Sequence, residues 1–540
     1  MDLTTLFPPK DLTLDQKTTI FTFLFRRLAS FRNTSLLYVQ QDRRLSGDAR
    51  VKINIQIELW AQDIADLTFL VCGEPGGGKC PRLEPAADTS TAHLRPDQAI
   101  LDRVLNTITF LNIANSKEFS ARTRAFLSNF GSLDERLIVA ALKNPNKAIE
   151  ETQRLAQEAK TKQANAGKTL RMVGVGLGAI AGGVLVGVTG GLAAPLVGAG
   201  VGTVLGIFGV GGTAIGVVAT ALASSSVICG ALFGVYGAHS MSSMVARSTR
   251  EVKDFDIVPV HPSGEHETLA VRLCVSGWLK TRKDVTGPWA VFDAEGDDTY
   301  ALQWEVELLE SLSEALTKLV KTNTMRLIKV EVLKRTVFAA LMASLAPIAL
   351  LKLGEIVDND WMNSQKLAVK AGAVLGSLLE KRVFGKRPVS LTGYSLGGLV
   401  IFEALKYLAS LPPAETLHLI EDVYLFGAPV PVDADVWASI RRMAAGRVVN
   451  GYSQDDYVLA VLCRLSSVSW GIAGLEAVEA VGIENVKCDV AGHTMWRVRI
   501  GRSMAECGVP GLVATRVEAQ ERNAGDSDVE EVLFDSEPSK

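Results

Sequence analysis

The sequence predicts an α/β protein in which a mostly parallel sheet in the C-terminal half is preceded by a helical domain and a membrane-associated helical hairpin. Three observations support this fold class. After about residue 255, short apolar segments alternate with helix-forming segments, which is the pattern of a parallel sheet covered by helices. One of these strand patterns is followed directly by a glycine-flanked serine. Upstream of the sheet, residues 172–246 contain no Asp, Glu, Lys or Arg.

Length and charge restrict the classes of protein to which the chain can belong. With 540 residues, it is long enough for about two or three domains. Its formal net charge of −3 at pH 7 provides no global basic field. No stretch combines clustered Arg and Lys with interleaved aromatic residues, as nucleic-acid binding usually requires. We therefore expect no nucleic acid among its partners.

The number and spacing of the cysteines and the N-terminal sequence indicate the cellular compartment in which the protein is expected. The seven cysteines are odd in number and scattered, without the short paired spacings of a disulfide framework or a zinc site. We therefore expect a reducing compartment, no bound metal and no other cofactor. The N-terminus lacks the basic and apolar segments of a secretory signal, so the bulk of the chain is expected in the cytosol.

Two helical regions are predicted before the charge-free stretch. Residues 1–143 have apolar positions that recur at spacings of three and four, for example in 18–25 and 100–105, and are predicted to form a small helical domain. Residues 144–170 are rich in helix formers, with glutamates set among lysines and arginines, and are predicted to form an amphipathic connector helix. This connector is either a solvated helix or a coiled-coil surface for a protein partner.

The stretch over 171–247 is predicted to form glycine-rich, membrane-associated helices. Roughly 75 uncharged residues suffice for about two to three spans and leave no polar face for a soluble amphipathic helix. Glycines recur at every fourth position, as in Gly183, Gly187 and Gly191, and this spacing lets helices approach closely in lipid. Basic residues flank both ends, which favours an even number of crossings, with both large domains in the cytosol. The alternative is a buried hairpin packed on a soluble domain.

The C-terminal half is expected to divide into an α/β domain over 255–515 and an acidic, disordered tail over 516–540. The tail is acidic and nearly free of aromatic residues, and it is a candidate surface for protein partners. In the α/β domain, helices are predicted over 305–320 and 399–409. The predicted strands are short and apolar, and they cover 269–275, 300–304, 389–392, 423–426 and 447–452.

The serine motif has the features of a sharp strand-to-helix turn. Ser395 lies between the strand pattern of 388–392 and a helical segment, with Gly393 and Gly397 two residues away on either side. At such a nucleophile elbow the serine has a strained backbone and neighbouring chains pass closely, so flanking side chains would collide. This context predicts an α/β-hydrolase domain with Ser395 as the nucleophile. The alternative is a glycine-rich turn that only joins two elements.

A catalytic serine needs a base and a carboxylate, which follow it in the order Ser, acid, His in this fold. Four of the six histidines precede Ser395, and His418 follows it before the last predicted strand. His493 is therefore predicted as the base. The acid is expected just after the fifth predicted strand. Asp456 is preferred there because one residue and two aliphatic residues follow it, and Asp455 is the alternative.

Two backbone N–H groups are needed to stabilise the oxyanion that forms during acyl transfer. Leu396 follows the nucleophile directly and is predicted to provide one of them. Trp278 lies in the Ser-Gly-Trp turn after the first predicted strand and is predicted to provide the other.

A second glycine-rich motif, at 73–79, matches the G-x-x-x-x-G-K pattern of phosphate-binding loops. The next residues are Cys80 and Pro81, whereas the phosphate loop requires Ser or Thr and the start of a helix. We therefore expect a glycine loop without nucleotide binding.

Taken together, these motifs resemble the transmembrane and coiled-coil domain-containing proteins, member four and its fungal relatives. The resemblance covers about residues 130–500 and depends on the glycine-rich stretch, the Ser-Gly-Trp turn, the elbow at 391–398, the segment 425–429 and the Gly492-His493 pair. It implies a membrane-associated, α/β-hydrolase-like protein of endomembranes. Some such relatives are linked to vesicle traffic, and no substrate is settled for them.

The sequence therefore predicts a serine esterase or lipase-like hydrolase that is associated with the bilayer and cleaves a membrane lipid or another acyl ester. His493 would deprotonate Ser395, and water would then release the acyl group from the serine. The alternative is a catalytically weak or inactive member of the fold that acts as a membrane scaffold in vesicle trafficking. We expect the catalytic domain to face the cytosol, and the apolar segment 341–353 is a candidate to cover the site.

Overall fold

A computed structural model of the chain describes residue 6 and residues 12–84, 87–145, 224–233, 252–261, 268–320, 360–466 and 471–533. Three predicted features fall wholly or mostly outside these residues. They are the connector helix at 144–170, the membrane-associated stretch at 171–247 except for its part at 224–233, and the covering segment at 341–353.

The described N-terminal residues form helices whose starts are fixed by capping side chains. Thr13 accepts a hydrogen bond from the Gln16 N–H, and the Gln16 side chain accepts one from the Thr13 N–H, which is a capping box. The later helices begin after Ser46, Asp97, Ser120 and Asp134, each of which caps a backbone N–H. The helices are α1 (Leu14–Gln41), α2 (Gly47–Val71), α3 (Gln98–Ser116), α4 (Ala121–Leu127) and α5 (Glu135–Lys143).

A short helix from the glycine-rich stretch packs against this helical core. Helix α6 (Ser225–Phe233) buries Ile228, Leu232 and Phe233 in the same apolar cluster as α1 to α5. Its Ala231 carbonyl accepts a hydrogen bond of 3.1 Å from the Lys386 N–H. One face of this part of the predicted membrane stretch is therefore covered by protein, whereas Val227 on the same helix is exposed. Within the described ranges, no helix is both long and apolar enough to cross a bilayer.

A seven-stranded sheet forms the second part of the molecule and confirms the predicted α/β class. The strand order is β1-β3-β2-β4-β5-β6-β7, and all neighbours are parallel except β1 and β3. The five predicted strands are present as β2 to β6. The strands are β1 (Asp256–Pro259), β2 (Val271–Val275), β3 (Asp298–Gln303), β4 (Val389–Tyr394), β5 (Ile420–Phe426), β6 (Val448–Tyr452) and β7 (Glu484–Lys487).

Helices cover both faces of the sheet. Every residue of β2 and β4 is buried, and successive residues of a strand point to opposite faces, so neither face of the sheet centre contacts water. The helices described after β3 are α7 (Val306–Val320), α8 (Met362–Glu380), α9 (Leu396–Ser410), α10 (Pro413–Thr416), α11 (Ala434–Met443), α12 (Tyr457–Ser466), α13 (Trp496–Glu506) and α14 (Ala514–Leu533).

Helix α14 corrects the expectation of a disordered tail from residue 516. Val517 is buried, and the Gln520 side chain accepts a hydrogen bond of 2.8 Å from the Gly501 N–H on α13. An ion pair of 3.2 Å between Arg502 and Glu521 also joins the two helices. The tail composition is polar enough for disorder, but these contacts with α13 are tertiary and hold the segment in a helix. Residues 534–540 lie outside the described part of the chain.

Buried charges connect the N-terminal helices to the sheet. Arg124 on α4 forms ion pairs with Glu135 on α5 at 2.6 Å, with Glu421 on β5 at 2.7 Å and with Asp297, just before β3, at 2.8 Å. Arg272 on β2 binds the other oxygen of Asp297 at 2.8 Å. Asp297 lies between two guanidinium groups, which lower its pKa against the effect of burial. Burial raises the pKa of Glu421 to about 8, because only one arginine opposes it.

We expect Arg124→Ala to destabilise the protein by about 3–5 kcal/mol, because it would leave the buried Glu135 and Glu421 without their cation and Asp297 with only one of its two arginines. The measurement is the free energy of unfolding in urea. Arg136→Ala is the matched control, because Arg136 pairs with Glu295 at the surface and should contribute less than about 1 kcal/mol. Equal losses for the two variants would contradict this account of the Arg124 cluster.

Candidate active site

The sharp turn between β4 and α9 carries Ser395. Strand β4 ends at Tyr394, helix α9 begins at Leu396, and Ser395 between them has φ 56° and ψ −133°. Positive φ is uncommon for a residue with a side chain and must be held by its surroundings. Here the Ser395 N–H donates a hydrogen bond of 2.9 Å to the carbonyl of Phe426 at the end of β5. The turn therefore has the strained backbone expected for a nucleophile elbow.

Close packing of backbone around the turn explains its glycines. A Cβ atom on Gly397 would overlap the carbonyl oxygen of Val275, at the end of β2. A Cβ on Gly393 would lie 2.7 Å from the Ile401 side chain and 3.0 Å from the Gly397 carbonyl carbon. Both distances are shorter than normal van der Waals contact. Gly397 is thus required for β2 to approach the first turn of α9, and Gly393 is required for α9 to pack against the end of β4.

A continuous chain of hydrogen bonds joins Ser395, His493 and Asp456. The Ser395 Oγ lies 2.6 Å from the His493 Nε2, and the His493 Nδ1 lies 2.7 Å from an Asp456 carboxylate oxygen. The same oxygen accepts a hydrogen bond of 2.9 Å from the Trp496 indole, and the other oxygen accepts one of 3.0 Å from the Leu459 N–H. Both carboxylate oxygens therefore accept hydrogen bonds, which fix the direction of the side chain.

Four parallel strands bring these residues to one edge of the sheet. Trp278 follows β2, Ser395 follows β4, Asp456 follows β6, and His493 follows β7. Because the carboxyl ends of parallel strands meet at the same edge, residues that are distant in the sequence become neighbours. The side chain of Asp455, the alternative acid, is exposed instead. The hydrogen-bonded chain therefore contains Asp456.

The turn predicted to bind the oxyanion packs directly on the start of α9. A Cβ on Gly277 would overlap the N atoms of Leu396 and Gly397, so the backbone before Trp278 lies against the Leu396 N–H. The turn is held by hydrogen bonds to main-chain and side-chain oxygens. The donors are the Tyr394 hydroxyl to the Trp278 carbonyl at 2.9 Å, the Trp304 indole to the Ser276 carbonyl at 3.1 Å and the Trp289 indole to the Ser276 hydroxyl at 3.0 Å.

The arrangement is closed to solvent. Ser395, His493 and Asp456 have no exposed surface. The indoles of Trp278 and Trp361 meet the His493 ring edge-on, with centroids 6.0 Å and 6.4 Å away. Both indole N–H groups are buried, and neither has a hydrogen-bond partner among the described residues, which is costly. Sequence reasoning did not identify Trp361, because its distance from the serine in the chain gives no signal of contact.

The glycine loop at 73–79 is remote from this site. It follows α2, and Gly73, Gly76, Gly77 and Gly78 all have positive φ. In the residues described after it, no helix begins before Gln98, so the structure shows no helix N-terminus of the kind that a phosphate loop requires.

An α/β protein with a mostly parallel sheet and a buried Ser–His–Asp hydrogen-bond chain is the class that this fold and site define. The chain belongs to the family described as protein of unknown function (DUF726), whose model matches residues 167–509. The matched region contains the elbow, Asp456 and His493. No solved structure matched the chain.

Several curated proteins are similar to this chain at 36% identity. The uncharacterized membrane protein C6F6.13c of Schizosaccharomyces pombe aligns over 63% of this chain and 59% of its own length. The transmembrane and coiled-coil domain-containing protein STS1 of Oryza sativa subsp. japonica aligns over 60% and 50%. The probable lipase MIL1 of Saccharomyces cerevisiae aligns over 58% and 28%. These names confirm the family resemblance, although the chain spans less than two thirds of each relative.

We expect Gly397→Ala to destabilise the protein by about 1–3 kcal/mol or more, because the new methyl group would collide with the backbone of β2. Gly47→Ala is the matched control, since nothing lies within 4 Å of a Cβ at that position. Thermal and urea unfolding of both variants measure the difference. If Gly397→Ala unfolds like the parent protein, the close approach described for this turn is wrong.

Proposed function

We propose that this protein is a membrane-associated serine hydrolase of the α/β-hydrolase fold, which cleaves acyl esters through Ser395, His493 and Asp456. The observation that carries the proposal is the hydrogen-bonded chain from the Ser395 Oγ to the Asp456 carboxylate, which starts at a serine with positive φ. The nucleophile, the base and the acid that orients the base lie within hydrogen-bond distance of one another in sequence, as covalent catalysis requires.

The proposed reaction begins with proton transfer from the Ser395 Oγ to the His493 Nε2 as the oxygen attacks the ester carbonyl. The resulting oxyanion accepts hydrogen bonds from the backbone N–H groups of Leu396 and Trp278. The carbon–oxygen bond to the alcohol breaks, and His493 gives its proton to the leaving alcohol. Water then attacks the acyl-enzyme, losing a proton to His493. Collapse of the second intermediate releases the acid, and the proton returns to the Ser395 Oγ.

Asp456 holds His493 in the orientation that this reaction needs. Its carboxylate accepts from the His493 Nδ1–H, so the Nε2 is left to receive the serine proton. The Trp496 indole and the Leu459 N–H also donate to the carboxylate. We propose that these two donors keep the Asp456 side chain fixed in direction during turnover.

Two observations support a lipid as the substrate. Relatives of this chain are named membrane proteins, and one is named a probable lipase. The buried indoles of Trp278 and Trp361 beside His493 give the site an apolar wall suited to an acyl chain. We propose that glycine-rich helices within 171–224 anchor the enzyme on an endomembrane, with the catalytic domain in the cytosol.

The second candidate function is a membrane scaffold that retains the fold without turnover. The complete burial of Ser395 and His493 favours this candidate, because a substrate cannot reach the serine in the arrangement described. Covalent labelling separates the two candidates, since it needs a reactive and accessible serine.

We expect a fluorophosphonate probe to label the full-length protein and Ser395→Ala to abolish the labelling, because the serine oxygen forms the covalent bond. Asp456→Asn should slow labelling by about 10³- to 10⁴-fold, since the asparagine favours the wrong histidine tautomer. Asp455→Asn is the matched control and should label at close to the parental rate. If the parent protein is not labelled in detergent or in vesicles, the hydrolase proposal is rejected and the membrane scaffold remains as the candidate function.

We expect the full-length protein to stay in the membrane fraction after extraction with alkaline sodium carbonate, because apolar spanning helices resist this treatment. Deletion of 171–224 should release the protein if these residues are the anchor, and retention of the fluorophosphonate label would show that the deleted protein is folded. Release of the intact chain would instead favour a buried hairpin.

A further inference from the structure

We propose that a basic cleft beside the catalytic site binds the headgroup of an anionic phospholipid, an inference that rests on the proposed ester hydrolysis and names its substrate class. The cleft has a volume of about 540 Å³ and lies between α13, α14 and the short 3₁₀ turns that follow the oxyanion turn. Its polar lining includes His261, Asp284, Arg497, Arg516 and Gln520.

The charges of the cleft are not balanced. Arg497 is paired with Asp284 at 3.0 Å, whereas the Arg516 guanidinium donates only to the carbonyl oxygens of Ala290 and Phe292, at 3.2 Å and 2.6 Å. Carbonyl oxygens carry no net charge, and no carboxylate in the described part of the chain lies within ion-pair distance of Arg516. The cleft therefore has an excess positive charge, although the whole chain has a net charge of −3.

Two further cations lie next to a cleft residue in the chain. Arg282 and Lys283 directly precede Asp284, and both are exposed. Neither has an acidic partner within salt-bridge distance among the residues whose positions are described. Arginine binds phosphate oxygens through paired N–H groups, and lysine binds them as a point charge. Arg516 in the cleft and the neighbouring Arg282 and Lys283 thus have the kinds of N–H donors that recognise a phosphate group.

An unsatisfied polar atom inside the cleft provides a second contact. The His261 Nε2 is buried, and no hydrogen-bond partner for it lies in the part of the chain that the structure describes. Burial and the neighbouring Arg516 lower the pKa of His261, so the imidazole is neutral at pH 7 and its free nitrogen can bond a hydroxyl group. A phosphate ester that also carries hydroxyl groups fits this combination better than a choline headgroup, whose ammonium would face Arg516.

Direct covalent connections place the cleft next to the catalytic residues. On α13, Trp496 donates its indole N–H to Asp456, and the following Arg497 binds Asp284 in the cleft. Asp284 also accepts from the N–H groups of Lys280 and Thr281, at 2.8 Å and 3.0 Å, in the loop just after Trp278. One cleft wall therefore continues into the oxyanion turn, and the other continues into the segment that carries His493.

Monomeric short-chain phospholipids test the inference without a bilayer. We expect Arg516→Gln in the full-length protein to lower kcat/KM for dihexanoyl phosphatidylglycerol by about tenfold, the effect of losing one charge-assisted contact. The kcat/KM for p-nitrophenyl butyrate, which has no phosphate group, should stay unchanged, and that for dihexanoyl phosphatidylcholine, whose ammonium opposes binding beside Arg516, should fall less than for the anionic lipid. Arg522→Gln on the same helix is the matched control, since Arg522 makes only a 3.9 Å surface contact with Glu518, and it should behave like the parent protein.

Other outcomes are equally decisive. Equal losses on all three substrates would assign Arg516 a structural role, and no loss on any substrate would leave the cleft without a ligand; either result overturns the inference. Binding of dihexanoyl phosphatidylglycerol to Ser395→Ala, measured by calorimetry with and without Arg516→Gln, tests the cleft even if the protein proves catalytically inactive. Binding of inorganic phosphate alone, without binding of the lipid, would identify a free-phosphate site and also overturn it.

Discussion

Ser395 has a backbone conformation that side-chain-bearing residues rarely adopt, and the surrounding chain is arranged to hold it. The carboxyl end of β5 accepts its N–H, and β2 approaches the first turn of α9 so closely that Gly277 and Gly397 cannot carry a Cβ. The relative positions of β2, β4 and β5 are therefore linked to the backbone conformation of Ser395. Because these strands are fixed, the positions of the oxyanion turn and of the Ser395 hydroxyl are fixed as well.

Assembly of the site and access to it are separate properties of this molecule. The Ser395, His493 and Asp456 side chains are connected and fully hydrogen-bonded, so no rearrangement of the residues themselves is needed for proton transfer. Their surface, however, is covered, with the indoles of Trp278 and Trp361 against the imidazole. Neither indole N–H has a hydrogen-bond partner among the described residues, so the covered state carries an energetic cost that an acceptor atom of a ligand, such as an ester oxygen, can relieve.

The residues of the Ser395–His493–Asp456 hydrogen-bond chain could be predicted because their signals are local or depend on chain order. The glycines flank Ser395 within two residues, and only His493 has the required position after the last strands. The edge strands β1 and β7 were missed, because a strand such as Glu484–Lys487 has exposed side chains and no apolar pattern. Helix α14 was mistaken for a disordered tail because its stability depends on contacts with α13. Trp361 and Trp496 gave no signal for the same reason, since their roles arise only from tertiary packing.

The Arg124 cluster has a consequence for how the family should be compared. The family model covers 167–509, a region that includes Glu421 but not Arg124, the arginine that pairs with it. Asp297 keeps Arg272 inside the matched region, whereas Glu421 is a buried acid whose cation comes from outside it. Relatives that differ in their N-terminal helices are therefore expected to place another cation near this acid or to replace it. In an alignment of relatives, we therefore expect substitutions at position 124, outside the family region, to be correlated with substitutions of its acidic partner inside that region.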